Sequence, residues 1–235
     1  MRIKIISKIL SLLEYLFYSP KLKQIYKNIY NLENRDFICF DVGAHKGESI
    51  KIMSKFFPGT RIYAFEPNPN CYREIQKLAN RVVKVFNLAL GANIGTSSFY
   101  LSKHSESSSI IIPKIDSRRH QMKSKVLGIK PTEMYSETTV DIDTIDNFVT
   151  KNDIPYITLL KVDCEGSEFD VLNGARNTLT NGVVKYIQFE QHFNDMRTDY
   201  SESIFELLVS LKYREIARIK HSFGNVYDIF FLKDW

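Results

Sequence analysis

The chain has 235 residues, 44% of them hydrophobic and 25% charged, which is enough apolar content for one sizeable core without covalent staples. Three cysteines (Cys39, Cys71, Cys164) are odd in number and not closely paired. This argues against a disulfide or zinc framework and fits a reducing cytoplasm. The net charge of +5 is concentrated: between Ser102 and Ser136 seven Lys/Arg meet three Asp/Glu, which leaves the rest nearly neutral.

In chain order, residues 1–18 place Ile5, Ile9, Leu12 and Leu16 on one helical face, with Lys4, Lys8 and Ser11 off it. Lys8 and Glu14 interrupt the stripe short of the ~20 apolar residues of a membrane span. No small-residue cleavage site marks a signal peptide. Residues 1–35 therefore read as an amphipathic helical extension that caps the domain. Peripheral contact with a membrane surface through residues 1–18 is the alternative. From residue 36 to 235 the pattern alternates as one α/β domain. Strand 37–42 leads to helix 46–56, strand 61–66 to helix 70–79, and then come strands 82–90 and 96–101. The irregular segment 102–136 is too long for an ordinary connection and reads as a basic insertion on the acceptor side. Extended residues 137–140, helix 144–151, strand 157–162, helix 167–179 and strand 184–189 follow. Helix 201–211 and strands 213–219 and 226–232 finish the chain. Central strands that are apolar without alternation imply burial on both faces and a largely parallel sheet.

Two strand ends carry a nucleotide-pocket signature. Asp41-Val-Gly-Ala-His-Lys-Gly47 turns through Gly43 and Gly47 into a helix, where glycine lets backbone approach a ligand and helix N–H groups are free. Arg61-Ile-Tyr-Ala-Phe-Glu66-Pro67 ends in an acid 25 positions after Asp41. In a βαβ unit such a carboxylate accepts both hydrogen bonds of a ribose diol.

These elements resemble the FkbM-type methyltransferases, a Rossmann-like family dependent on S-adenosylmethionine. The likeness runs through Asp41–Gly47, Phe65-Glu66-Pro67-Asn68-Pro69, Asn87-Leu-Ala-Leu-Gly91 and Thr139-Val-Asp-Ile-Asp-Thr-Ile-Asp-Asn-Phe148. Its most specific element is Leu159-Leu-Lys-Val-Asp-Cys-Glu-Gly-Ser-Glu168, followed by Val171-Leu-Asn-Gly-Ala175. The resemblance implies a class I methyltransferase fold, with a mostly parallel central sheet and an antiparallel terminal strand. It implies S-adenosylmethionine held by Asp41, Gly43, Ala44, His45, Gly47, Glu66, Pro67 and Asn68, with Leu88, Ala89 and Leu90 bordering the adenine. His45 stands where the family usually has Asn, and Ala92 where it often has an acid.

Methyl transfer to oxygen asks the protein to orient, desolvate and remove one proton. Strand parity sets Lys161 and Asp163 on one face, with Glu165 in the Gly166 turn. Glu190 and His192 end the next strand, so Asp163, Glu165, Glu190 and His192 are the candidate catalytic groups. Glu168, in the first turn of a helix, suits a structural role. Asp163, Glu165, Glu190 and His192 are also ligand types for a hard divalent ion, although the resemblance does not require one. Asp141-Ile-Asp143 reads as strand-to-helix capping. The expected acceptor is a hydroxyl of a sugar in a glycan, glycolipid or secondary metabolite. The basic insertion, through Arg118, Arg119 and Lys123, favours an anionic form of it. No nucleic-acid motif accompanies the charge. Two other readings stand beside this one. An NAD-dependent oxidoreductase would use Glu66 but lacks the second fingerprint glycine, and a non-catalytic module would bind a membrane or partner.

Overall fold

The computed structural model describes residues 19–33, 36–102, 108–111, 121, 124–125, 130, 134–192, 201–222 and 225–234. The helix expected over 1–18 lies outside the described residues. Strand β1 (Ile38–Val42) is buried at all five positions, as an apolar run covered on both faces must be. Parallel neighbours flank it: β2 (Arg61–Phe65) and then β3 (Val83–Phe86) on one side, β7 (Ile157–Val162) and then β8 (Val184–His192) on the other. The chain ends in β9 (Tyr213–Lys220) and β10 (Val226–Lys233), with β10 inserted antiparallel between β8 and β9. The sheet order is thus β3-β2-β1-β7-β8-β10-β9, mostly parallel with a reversed terminal strand.

A second sheet of order β4-β6-β5 comprises β4 (Ala89–Leu90), β5 (Gly95–Ser102) and β6 (Tyr135–Asp143). The pattern predicts one strand over 82–90, but the chain bends between β3 and β4. Asn87 Nδ2 donates to the carbonyls of Glu66 and Pro67 at 2.9 and 3.0 Å, and β4 then pairs with β6 instead of continuing along β2. The basic insertion is the connection between β5 and β6.

Strand parity sorts the core into two layers. Cys39, Leu159, Tyr186 and Phe230 face α1 (Ser19–Leu32) and α2 (Glu48–Phe56). Phe40, Leu160, Ile187 and Phe231 face α4 (Ile145–Lys151), α5 (Glu168–Asn173), α6 (Arg176–Thr180) and α7 (Ser201–Ser210). Helix α3 (Pro69–Ile75) starts at an Asn68 cap, whose Oδ1 accepts from Asn70 N, and tightens into a 3₁₀ turn over Gln76–Leu78.

Helix α1 lies within the amphipathic helical extension expected over 1–35, and its buried residues Leu22, Tyr26 and Ile29 recur at i, i+4 and i+7. Burial of the leucine and isoleucine contributes roughly 1.5–3 kcal/mol each, and Tyr26 packs 5.1 Å from the Phe57 ring. The single helix expected over 167–179 is two, because Asp146 caps the second. Its carboxylate accepts from Asn177 N, Thr178 N and Thr178 Oγ1. Gly174 lies at the break because a Cβ there would sit 2.0 Å from the Gly91 carbonyl oxygen. The cap expected of Asp141-Ile-Asp143 falls one residue later: Thr144 Oγ1 accepts from Asn147 N, and Asp143 Oδ1 braces it by accepting from Thr144 N and Asn147 Nδ2. Among the described residues no helix is long and apolar enough to cross a membrane.

Candidate active site

The C-terminal ends of β1, β2, β7 and β8 open into one cleft of ≈ 250 Å³, walled on its far side by the second sheet. Its first turn depends on Gly43. With φ +85° and a Cβ position 1.8 Å from the Asp163 carbonyl oxygen, the β1–α2 connection passes against the β7 end with no room for a side chain. Gly43 N and Ala44 N both donate to Phe65 O at 3.0 Å.

Glu66, one residue beyond β2, fixes that turn from the other side. Its Oε2 accepts from His45 N at 2.7 Å and its Oε1 from Asn68 N at 2.8 Å. The residue is 6% exposed and lines the cleft. Burial pushes its carboxyl up to about 7, against the pull of the two backbone N–H groups. Each oxygen retains a lone pair, so the group can still accept from a diol.

At the β7 end, Asp163 N donates to Val42 O at 2.9 Å and Asp163 Oδ2 accepts from Lys161 Nζ at 3.0 Å. The loop that follows, through Glu165 (φ +57°) and Gly166 (φ +107°), is pinned by Glu168. The Glu168 Oε1 accepts from Cys164 N and Gly166 N at 3.0 Å each, which makes it a structural clamp for this turn. Beneath the floor, Asp41 is fully buried, accepts from Ser49 Oγ at 2.5 Å and lies 3.7 Å from Lys161 Nζ. Burial disfavours the charged lysine, but the attraction of Asp163 and Asp41 outweighs it and holds Lys161 well above the ordinary lysine range.

Of the cofactor residues expected from sequence, Gly43, His45, Glu66, Pro67, Leu88, Ala89 and Leu90 line the cleft. Asp41, Ala44, Gly47 and Asn68 do not. Asp41 and Ala44 are packed below the surface, Asn68 caps α3, and Gly47 caps α2 in the left-handed region. Asp163, Glu165 and Glu190 also line the cleft, from the β7 and β8 ends, with β1 between them and Glu66 at the end of β2. His192 is the last residue of β8, and its side chain lies outside the described residues, as do Arg118, Arg119 and Lys123. Among the described residues no group of three His, Cys, Asp or Glu is placed to hold a metal ion.

Sequence reasoning missed Phe99, Ser108, Ile110, Cys164 and Ser167 in the lining. Phe99 was findable, as the inward position of an alternating strand. Ser108 and Ile110 carry no local signal. They reach the cleft because Tyr100 and Ser109 exchange backbone hydrogen bonds, and Ser109 Oγ then donates to Glu165 O at 3.0 Å.

The donors and surfaces fit a nucleoside cofactor: a buried carboxylate with lone pairs to spare for the ribose, an apolar slot of Leu88, Leu90 and Phe99, and a side-chain-free turn. Fold and site together define a class I methyltransferase that uses S-adenosylmethionine. The methyltransferase FkbM domain matches residues 41–215, and the chain belongs to that family. Membership replaces the oxidoreductase and non-catalytic readings. A hexuronic acid methyltransferase (AglP) of Haloferax volcanii is 25% identical over 188 residues, covering 78% of this chain and 67% of the relative. A 2-O-methyltransferase (NoeI) of Sinorhizobium fredii is 20% identical over 160 residues, covering 67% and 65%. The chain thus spans about two thirds of the length of these curated relatives. In fold alone it resembles magnesium protoporphyrin IX methyltransferase (ChlM) from Synechocystis PCC 6803, solved with bound cofactor, at a TM-score of 0.50. That likeness carries 7% identity and covers 92% of this chain and 80% of the other.

Proposed function

We propose that this methyltransferase acts on a hydroxyl group of a sugar. The carrying observation is one cleft lined by the carboxylate Glu66 from the end of β2 and by Asp163 and Glu190 from the ends of β7 and β8, across β1 from it. Of the relatives named above, one is by its description a hexuronic acid methyltransferase and the other a 2-O-methyltransferase, which supports a sugar hydroxyl as the acceptor here.

Bound S-adenosylmethionine supplies an electrophilic methyl carbon and carries its own leaving group. The chain's residues then have three tasks. Glu66 and the Gly43 turn hold the nucleoside, and the Leu88–Leu90 segment and Phe99 exclude water from the adenine side. Asp163, oriented by Lys161, accepts a hydrogen bond from the acceptor hydroxyl and orients it. Glu190 takes the hydroxyl proton as the oxygen–carbon bond forms; a positioned base of this kind contributes about 10²–10⁴-fold. Asp41, placed under the floor, supports Lys161 instead of touching the cofactor. Arg118, Arg119 and Lys123 remain the proposed contacts for an anionic part of the acceptor.

The test is calorimetric titration of S-adenosylhomocysteine into wild type and Glu66→Ala, followed by transfer of labelled methyl to a panel of free, phosphorylated and nucleotide-linked sugars. Binding that is lost in the variant, and label in a base-stable ether on a sugar, support the reading. Label recovered only on protein, nucleic acid or an amine would refute sugar O-methylation.

A further inference from the structure

A polar row crosses the sheet directly beneath the cleft, on the face covered by α1. Asp41 on β1 is level with Lys161 on β7, Lys161 with Gln188 on β8, and the row ends at Asp228 on β10. Asp228 is 3% exposed and is the direct cross-strand partner of Glu190. Like charges directly opposite on neighbouring strands repel, so this pair requires a compensating donor. His221, at the end of the β9 strand, provides one: its Nε2 is 3.0 Å from Asp228 Oδ2 and 3.9 Å from Glu190 Oε2.

We propose that His221, clamped by Asp228, is a positioning residue that holds the Glu190 carboxylate at the acceptor end of the cleft. The clamp is itself fixed. Asp228 Oδ1 accepts from Gln188 Nε2 at 2.9 Å, and Gln188 Oε1 accepts from Tyr26 OH at 2.7 Å. The histidine backbone is tied to the other strand of its hairpin through His221 N to Val226 O at 2.9 Å. Tyr26, His221 and Asp228 all fall outside the family match at 41–215, so the device joins α1 and the terminal hairpin to the shared site. Among the described residues the charged groups around the imidazole are Glu190 from β8 and Asp228 from β10. Lys161 follows further along the row, and Lys220 on the same strand is directed to the Tyr227 ring. What Glu190 does chemically rests on the methyltransferase reading; the pairing does not.

The experiment is a pH titration of the His221 imidazole by ¹⁵N NMR in the full chain, assigned with His221→Ala. Wild type is compared with Glu190→Gln and Asp228→Asn, with S-adenosylhomocysteine affinity measured alongside. An anionic neighbour within about 4–6 Å raises proton affinity by one to three pH units. Each variant is therefore expected to lower the His221 proton affinity about tenfold, with S-adenosylhomocysteine affinity within twofold of wild type. An unchanged titration in Glu190→Gln would overturn the proposal, as would a parallel loss of cofactor affinity. Glu190 lies at the cleft rim, so Glu190→Gln carries the decision even where Asp228→Asn unfolds the chain. Failure of the wild type to bind S-adenosylhomocysteine would refute the methyltransferase reading alone, and the titration decides the pairing in either case.

Discussion

Replacing Glu66 by glutamine changes one atom of a group that performs two tasks. The carboxylate holds two backbone N–H groups, His45 N and Asn68 N, and presents its remaining lone pairs to the cleft. An amide offers one oxygen, so its NH₂ must face one of those donors. The variant loses one turn contact and, with it, the paired acceptors for a ribose diol. A hydrogen bond to a charged group is worth about 1.5–3 kcal/mol, and two weakened bonds amount to about 3 kcal/mol. That corresponds to roughly a hundredfold rise in the Kd for S-adenosylhomocysteine.

Glu66 also sets a pH signature that separates a ribose acceptor from a passive turn clamp. Burial raises its carboxyl from the ordinary 4.5 to about 7. The folded chain therefore binds more protons than the unfolded one between those values. Its stability contribution falls as pH rises through that window, by about 3 kcal/mol in all. Cofactor affinity moves the other way, because the ionised form is the better double acceptor. Between pH 6 and pH 8 the ionised fraction rises from about 0.1 to about 0.9, so Kd should tighten about tenfold. Calorimetry at three pH values on wild type and Glu66→Gln measures both effects. A wild-type Kd that is flat from pH 6 to 8, or a variant Kd within twofold of wild type, would refute the assignment.

Three further outcomes follow from the geometry. Gly43→Ala forces a Cβ to 1.8 Å from Asp163 O at a positive φ, so it should lower stability by about 3 kcal/mol and separate the β1 and β7 ends; thermal unfolding and S-adenosylhomocysteine titration read this. Lys161→Met leaves Asp41 buried without a cation and should cost about 3–5 kcal/mol in chemical denaturation, and adding Asp41→Asn should recover part of that loss; no recovery would mean that the Asp41–Lys161 charge pair is not the cause. Neutralising Arg118, Arg119 and Lys123 together to glutamine should raise the acceptor KM several-fold without changing cofactor affinity, and unchanged acceptor kinetics would remove the anionic-acceptor proposal.

Much of this site was legible because its parts are strand ends. A buried parallel strand announces itself as an unbroken apolar run, and an acid or glycine that closes the run must lie at the sheet's C-terminal edge. Glu66, Asp163 and Glu190 were located that way. The sequence does not reveal which side of the edge a residue falls on. Asp41 looks equivalent to Glu66, yet β1 continues through Val42 and keeps Asp41 among the helices, whereas β2 stops at Phe65 and releases Glu66 into the cleft. Asp41 is level with Ala64, so two positions along the strands separate a floor support from a residue that lines the cleft. The bend at Asn87 and the break at Gly174 were hidden for a related reason. Each is set by a partner distant in sequence, the carbonyls of Glu66 and Pro67 in one case and Asp146 in the other.

The buried row under the cleft shows why the acids above it hold their places. A sheet with polar residues level across β1, β7 and β8, joined by a side-chain hydrogen bond to Asp228 on β10, would ordinarily be a defect, since each buried charge lacking a partner costs several kcal/mol. Here the charges alternate along the row: Asp41, then Lys161, then neutral Gln188, then Asp228 beside His221. Two residues further along β7 and β8, strand periodicity brings Asp163 and Glu190 to the same face, directly above the row. Asp163 takes a hydrogen bond from Lys161 one pleat below, whereas Glu190 lies opposite Asp228 at its own level, with His221 beside both. Tyr26 covers the row from α1 with a single hydroxyl. Loss of that hydroxyl in Tyr26→Phe leaves Gln188 Oε1 buried without its donor and should cost about 1–3 kcal/mol. The sheet topology brings the strand tips together, and on the proposed function the row beneath them would keep Asp163 and Glu190 ordered toward one acceptor hydroxyl.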